Sequence, residues 1–451
     1  MGKGKKSAEA HELLRFDALR RLIGDEFKKI PDPRPGDCVI SVHDALMSAF
    51  AMFSLKDSSL LAFEDRRKKK PQNIQAVFGV RNIPTDSGMR DIDDKIPTEH
   101  LRPVYKSIFE QARQSGLLDR MRFIDGHYLL DIDGVEFFRS KKLEADFCLT
   151  STKAGETSYH LKMLSAVIVH PDFKEVIPLF PENIQRQDGA TKNDCEQNAA
   201  KRFYEKLRRD YPDVPFIVNE DALYADGPHL LELQKYNLRY IIVAKPTDLP
   251  FLFEQADMAI EQGGAKELFV QDAQDPKVIH GFRFIEQLPL NQTHRQIRVN
   301  LLEYWEVTEG KEPRIFSWIT DLQIRQDNVF LLMRGGRSRW KIENETFNTL
   351  KNQGYHFGHN YGLGKKHLAS NFAVLMMLAF LVDQIQQMAS PLFQAAWKEL
   401  GCKCRLWEKL RNLFDIFQFS SMEMLLRAIL ETARVLLPFP FLDTSPLLNT
   451  S

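Results

Sequence analysis

The sequence predicts an α/β fold, and three observations carry that prediction. First, Pro215-Phe-Ile-Val-Asn219 and Tyr240-Ile-Ile-Val-Ala244 are apolar runs of strand length, and the stretch between them suits a helix opened by Pro228. Strand, helix, strand within about 30 residues is a βαβ unit, which implies a parallel pair. Second, near residue 120 the texture changes from helical stripes to short apolar runs punctuated by acids. Third, 451 residues at 43% hydrophobic content suffice for a sizeable core. At roughly 150 residues per domain, that length corresponds to about three domains.

The elements follow in order. Residues 1–118 read as a helical region. Its start, Met1-Gly-Lys-Gly-Lys-Lys-Ser7, is basic, but no apolar stretch of the signal-peptide kind follows. A myristoylation pattern fails at Lys6, where Ser or Thr is needed. His43 to Leu55 carries an apolar stripe (Leu46, Ala49, Phe50, Phe53) that should pack as a helix. Arg66-Arg67-Lys68-Lys69-Lys70, ended by Pro71, is either a solvated surface or a contact to a DNA backbone. In 119–249, Tyr128 to Gly134, Ser165 to His170 and Val176 to Leu179 read as strands, and Lys192 to Leu207 as a helix. Residues 250–334 interrupt the alternation with β-like runs (Phe282–Ile285, Leu301–Val307, Phe316–Ile319) and read as a β-rich insertion. Residues 335–388 are helical again. Their run Ala373 to Val382 is about half of what spans a bilayer and reads as a buried helix. Residues 389–451 form a helical tail whose end, Pro438 to Ser451, should fray.

Composition excludes several classes. With 61 Lys+Arg against 61 Asp+Glu the formal net charge is zero, which rules out a bulk-basic coat protein and an acidic tail protein. A local basic face remains compatible with DNA binding. Residues 331–370 hold seven basic residues against two acids, and residues 251–330 hold eight against thirteen. The neutral total hides a basic helix beside an acidic insertion. Five scattered cysteines (Cys38, Cys148, Cys195, Cys402, Cys404) suit a reducing cytoplasm and offer no disulfide framework. Cys402-x-Cys404 lacks the usual zinc spacing. Gly362-Leu-Gly364-Lys365-Lys366 superficially suggests a phosphate loop, but His359 and Lys366 occupy the positions of the first glycine and of the Ser/Thr.

Three acids stand in unusual settings. Asp133 ends an apolar strand before Gly134, either capping a turn or facing a site, and shares a strand face with Asp131. Asp221 follows Phe216–Asn219, where open α/β sheets bind ligands. The alternative is a helix cap, with Asp226 competing for that role. Trp340, Glu343, Phe347 and Leu350 fall on one helical face, so Glu343 sits inside an apolar stripe. A buried carboxylate there needs a partner such as Arg339 or a metal. Arg337, Arg339, Lys341 and Lys351 crowd the same segment, which suits a metal site facing a phosphodiester backbone.

Arg339-Trp-Lys-Ile-Glu343, followed by Phe347-Asn-Thr-Leu-Lys351, resembles the third-acid motif of bacterial insertion-sequence transposases of the DDE class. Within that class it resembles the cut-and-paste group with a Tyr-x2-Arg-x3-Glu-x6-Lys signature. Asp133-Gly-x-x-Phe-Phe138-x-Ser140 is similar to that group's first-Asp segment, and Asp221-Ala-Leu-Tyr-Ala-Asp-Gly-Pro228 to its second. Lys192–Glu196 and Asn360–Gly364 are similar to its flanking segments. The resemblance covers roughly residues 40–385. Two positions depart from the signature: Gly336 stands at its Tyr, and Leu350 at its Lys, with Lys351 one residue later.

The resemblance implies an RNase H-like core interrupted by a β-rich insertion between the second Asp and the Glu. The 122 residues from Asp221 to Glu343 have room for one. It implies that Asp133, Asp221 and Glu343 hold two divalent cations, Mg2+ or Mn2+, for which carboxylates are suited donors. It further implies cleavage at the ends of a mobile element, strand transfer into target duplex DNA, and a homodimer that pairs the two ends. Members of the group can hold a flipped base in the insertion, so Trp318 and Trp305 are expected either to stack on a base or to pack in the core.

Overall fold

The computed structural model describes residues 12–186 and 193–434; the start Met1–Ser7, Lys192 and the tail Pro438–Ser451 lie outside the described residues. The chain opens with α1 (Phe16–Phe27), α2 (Val42–Ser54), α3 (Leu60–Lys69), α4 (Pro71–Phe78), α5 (Asp86–Asp93) and α6 (Arg102–Gln114). Ser41, Ser59 and Thr85 start α2, α3 and α5 by accepting a hydrogen bond from a first-turn amide. Those amides have no partner inside the helix. In α2 burial extends past the predicted stripe to every residue except His43.

Strands follow. β1 (Tyr128–Ser140) lies between β3 (Glu156–Val169), antiparallel, and β6 (Phe216–Glu220), parallel. β2 (Leu149–Lys153), β4 (Ile177–Pro178) and β5 (Glu182–Ile184) all pair with β3. Helix α7 (Glu196–Asp210) leads into β6, and α8 (Gly227–Lys235) crosses to β7 (Arg239–Val243), parallel to β6. The βαβ unit is therefore where the sequence places it. After α9 (Pro250–Glu261), strands β8 (Lys266–Gln271), β9 (Val278–Pro289), β10 (Arg298–Thr308) and β11 (Arg314–Thr320) form an antiparallel meander. Its last strand pairs with β7, so these strands continue one mixed sheet running β2-β3-β1-β6-β7-β11-β10-β9-β8.

The remaining described residues hold helices: α10 (Val329–Arg337), a π-helical turn at Ile342–Phe347, α11 (Asn348–Asn352), α12 (Leu368–Ala389), α13 (Pro391–Leu400), α14 (Lys403–Ile416) and α15 (Met422–Arg434). By length and composition α12 could cross a membrane, yet all 22 of its residues are buried by the rest of the fold. The N-terminal helices hold it. The Tyr105 hydroxyl donates to the Val374 carbonyl (2.7 Å), and Asn371 donates to the carbonyls of Asp93 (2.7 Å) and Ile96 (2.8 Å). The fully buried Lys56 pairs with Asp383 of α12 and lies over the rings of Tyr355 and Trp407.

The Gly362–Lys366 loop ahead of α12 does bind an anion, and the anion belongs to the protein. The amides of Lys365, Lys366, His367 and Leu368 all donate to the Asp94 carboxylate at 2.9–3.0 Å. Burial pushes that carboxyl up, but the four donors outweigh it and hold it below its ordinary range. Gly364 has φ +72°, and a side chain there would collide with Asp94.

Helix α10 lies directly on the sheet because it carries glycines where it touches. A Cβ on Gly336 would stand 2.5 Å from Nε1 and 2.6 Å from Cε2 of Trp318. That indole is buried and stacked on Phe316 with centroids 5.9 Å apart, so it has little room to yield. Alanine favours a helix over glycine by about 1 kcal/mol, but overpacking costs about 1–3 kcal/mol. Gly336→Ala is expected to lower the unfolding free energy, by roughly 1 kcal/mol in urea titration. A stabilised variant would show that the ring moves aside.

Candidate active site

Parallel register builds the site. Asp131 of β1 stands opposite Asn219 of β6, and two residues further along the chain come Asp133, still in β1, and Asp221, just past β6. Asp131 and Asp133 point to one face of the sheet. β1 runs on to Ser140, so Asp133 is not at a strand end, and Asp133-Gly134 is no turn. Asp221 follows the last residue of β6. One of its oxygens accepts from the Ala222 amide (2.7 Å) at the head of the turn Ala222–Tyr224. Asp226 is the residue that caps α8, accepting from the His229 amide (2.9 Å).

Glu343 corrects one expectation. The residues Ile342–Phe347 form a π turn, whose wider winding breaks the predicted common face. Phe347 and Leu350 are buried, whereas Trp340 is 46% exposed and the Glu343 side chain 52% exposed. The carboxylate thus leaves the apolar stripe and turns toward Asp133. Arg339 spans the gap: its Nη2 donates to Glu343 Oε1 (3.0 Å), and its Nη1 lies 3.7 Å from Asp133 Oδ2. One guanidinium serves as the cation between two of the three predicted acids.

Electrostatics match that crowding. Burial raises the Asp133 carboxyl to about 6, and the charges of Glu343 and Glu196 add to the effect. Arg339 and the Gly134 amide, whose hydrogen bond to Asp133 is 2.8 Å long, oppose it. Glu196, in the first turn of α7, lies at the site, although the sequence placed it only in a flanking segment of the resemblance, without a role. Its side chain lies over Gly134, in space that any Cβ there would occupy. The available signal was the glycine itself, a residue without a side chain inside a strand. Beneath Asp133, Asp131 is fully buried, and burial raises its carboxyl well above the ordinary range. Asn219 Nδ2 donates to Asp131 Oδ1 (2.8 Å) and to the Gly335 carbonyl (3.1 Å), tying β1, β6 and α10 together. Asp131 Oδ2, Asn219 Oδ1 and the Ser165 hydroxyl have no hydrogen-bond partner.

The donor set is all oxygen, the chemistry that hard divalent cations take. Among the described residues, no three His, Cys, Asp or Glu side chains converge tightly enough to hold a metal ion. Asp133 and Glu343 converge on Arg339; Asp221 stands at the neighbouring strand end, outside that contact.

The residues expected at DNA stand in different settings. Arg66 is buried and pairs with Asp57 and Asp415, so it is structural. Arg67 is held by Glu64 (2.6 Å), and Lys70 donates to the Ile416 carbonyl (3.0 Å). Lys68 and Lys69 are exposed, as is Lys351. Lys341 is buried and clamps the backbone carbonyls of His170, Pro171 and Phe173. Trp318 is buried beneath Gly336 and cannot receive a base. Trp305 is half-buried under Arg283, 5.0 Å from its ring centroid. Arg337 is taken by Glu306 (2.6 Å). Comparison of the chain with protein-family models and with curated proteins returns no match.

A raised carboxyl is protonated over a wider range in the folded chain, so Asp133 lowers stability as pH rises from about 4 toward about 6. Carbon-13 NMR of the Asp133 carboxyl is expected to titrate near 6. Glu343→Gln should move the midpoint down and Arg339→Gln should move it up. Insensitivity to both substitutions would refute the cluster.

Proposed function

We propose that the chain is a DNA transposase of the DDE class, with an RNase H-like core and Asp133, Asp221 and Glu343 as its catalytic acids. The observation that carries this reading is the convergence of Asp133 and Glu343 on one guanidinium, beside the parallel strand end that bears Asp221. Crevices beyond the carboxyl ends of parallel strands are where such sheets bind ligands. The antiparallel β3–β1 pair leading into parallel β6 and β7 suits the proposed core.

The three carboxylates would hold two Mg2+ or Mn2+ ions, which supply charge compensation for the attacking and leaving oxygens of a phosphodiester. The protein's own groups do the rest. Asp133, titrating near 6, carries its negative charge at neutral pH without a full set of donors. Arg339 balances Asp133 and Glu343 in the free chain, and its planar fork suits a phosphate once those carboxylates are otherwise compensated. The clamp from Lys341 to the His170–Phe173 backbone fixes the start of the Glu343 turn against the sheet. Water would free a 3′-hydroxyl at the element's end, and that hydroxyl would attack target duplex DNA. Two copies would pair the two ends.

One observation favours a second reading, a DNA-binding relative without catalysis. Gly336 replaces the signature Tyr, and Trp318 fills the space above it, so that contact to the element's end is missing. Cleavage assays separate the two. Asp133→Ala, Asp221→Ala and Glu343→Ala are each expected to reduce Mg2+-dependent nicking of element ends by at least about a thousandfold while binding persists. Wild-type cleavage by any one of them removes that residue from the site. A wild-type chain that binds ends and never cuts supports the second reading.

A further inference from the structure

We infer that the arginines of α10 form a seat for a phosphodiester chain, which the free protein keeps filled with its own carboxylates. Phe330, Arg334 and Arg337 are spaced by four and three residues, so they share one face of the helix. That face lines a groove of 510 Å³, whose walls include Trp340 and the exposed Lys174 from the turn after β3. Guanidinium forks repeated along one helix face fit the oxygens of successive phosphates.

Each fork is already occupied. Arg334 pairs with Asp172 of the turn after β3. Arg337 pairs with Glu306 of β10 and lies 4.9 Å from the Phe316 ring centroid. Glu306 is held in place for this: it also meets the Tyr304 hydroxyl (3.2 Å) and Arg314 (3.3 Å). Tyr304 is in turn fixed by His280 (2.8 Å), which meets Asp272 (3.0 Å). The hydrogen bond from Arg334 holds the Asp172 carboxyl below its ordinary range. Burial pushes Glu306 up, but the bond and charge of Arg337 outweigh it. Both carboxylates are therefore ionised at neutral pH. Both pairs are also partly open to water, the setting in which ion pairs are weak and a polyanion can displace them.

Asp172 and Glu306 thus act as a latch on the basic helix. The identity of the polyanion as DNA rests on the reading proposed above; the latch itself does not, and heparin tests it separately. Binding of labelled heparin and of a labelled DNA duplex would be followed by anisotropy between about 50 and 200 mM salt. Glu306→Gln is expected to tighten heparin binding roughly two- to fivefold at the low-salt end and to steepen the salt slope by about one. Asp172→Asn, at an exposed position that leaves the sheet untouched, should do the same through Arg334. In the double variant Arg337→Gln/Glu306→Gln the gain should vanish relative to Arg337→Gln. Unchanged affinity in both single variants, or a gain that survives in the double variant, overturns the latch. A gain on heparin with no duplex binding by any variant upholds the latch and defeats DNA as the ligand.

Discussion

The pairing of β1 with β6 is the constraint on which the rest of the site depends. Parallel strands have no tight turn to fix their register, so the buried side chains must do it. Here the bond between Asp131 and Asn219 does it, inside the sheet and shielded from water. A slip of one residue would break that bond and send Asp133 to the opposite face. Asn219 also reaches the Gly335 carbonyl, so the same buried amide that aligns the strands seats α10. The glycines at 335 and 336 then let the helix approach closely enough for Arg339 and Glu343 to meet Asp133. Register, helix seat and carboxylate cluster are one connected arrangement.

That dependence explains what the sequence could and could not disclose. The α/β class was legible because the apolar runs at 215–219 and 240–244 have strand length and Pro228 opens a helix between them. The burial of α12 was legible from the ten-residue run Ala373 to Val382, although the helix itself extends to 22 residues. Glu343 was found by its motif and misplaced by its periodicity. A 3.6-residue rule cannot foresee the π turn at Ile342–Phe347. For Trp318 the sequence left stacking on a base and packing in the core both open; the structure packs it in the core beneath Gly336, a contact between residues 18 apart in the chain. Within the basic run at 66–70 the sequence could not single out Arg66 as buried, because Asp415, which neutralises it, lies some 350 residues away.

Long-range pairing of this sort also sets where the charges of the neutral chain meet. Anion seats in this chain are filled by its own carboxylates: Asp94 on the amides before α12, Asp172 and Glu306 on the arginines of α10. In the reciprocal sense Arg339 fills the place of a cation between Asp133 and Glu343. Each pairing relieves desolvation that an unpaired ion would suffer in a partly buried groove. The acidic segment 251–330 and the basic segment 331–370 meet in one ion pair, Glu306 with Arg337, because β11 returns to β7 and lays the inserted strands beside α10. A ligand that carries its own phosphates does not add charge to such a surface. It exchanges partners with it, and the net affinity is the difference between two sets of ion pairs rather than the sum of one.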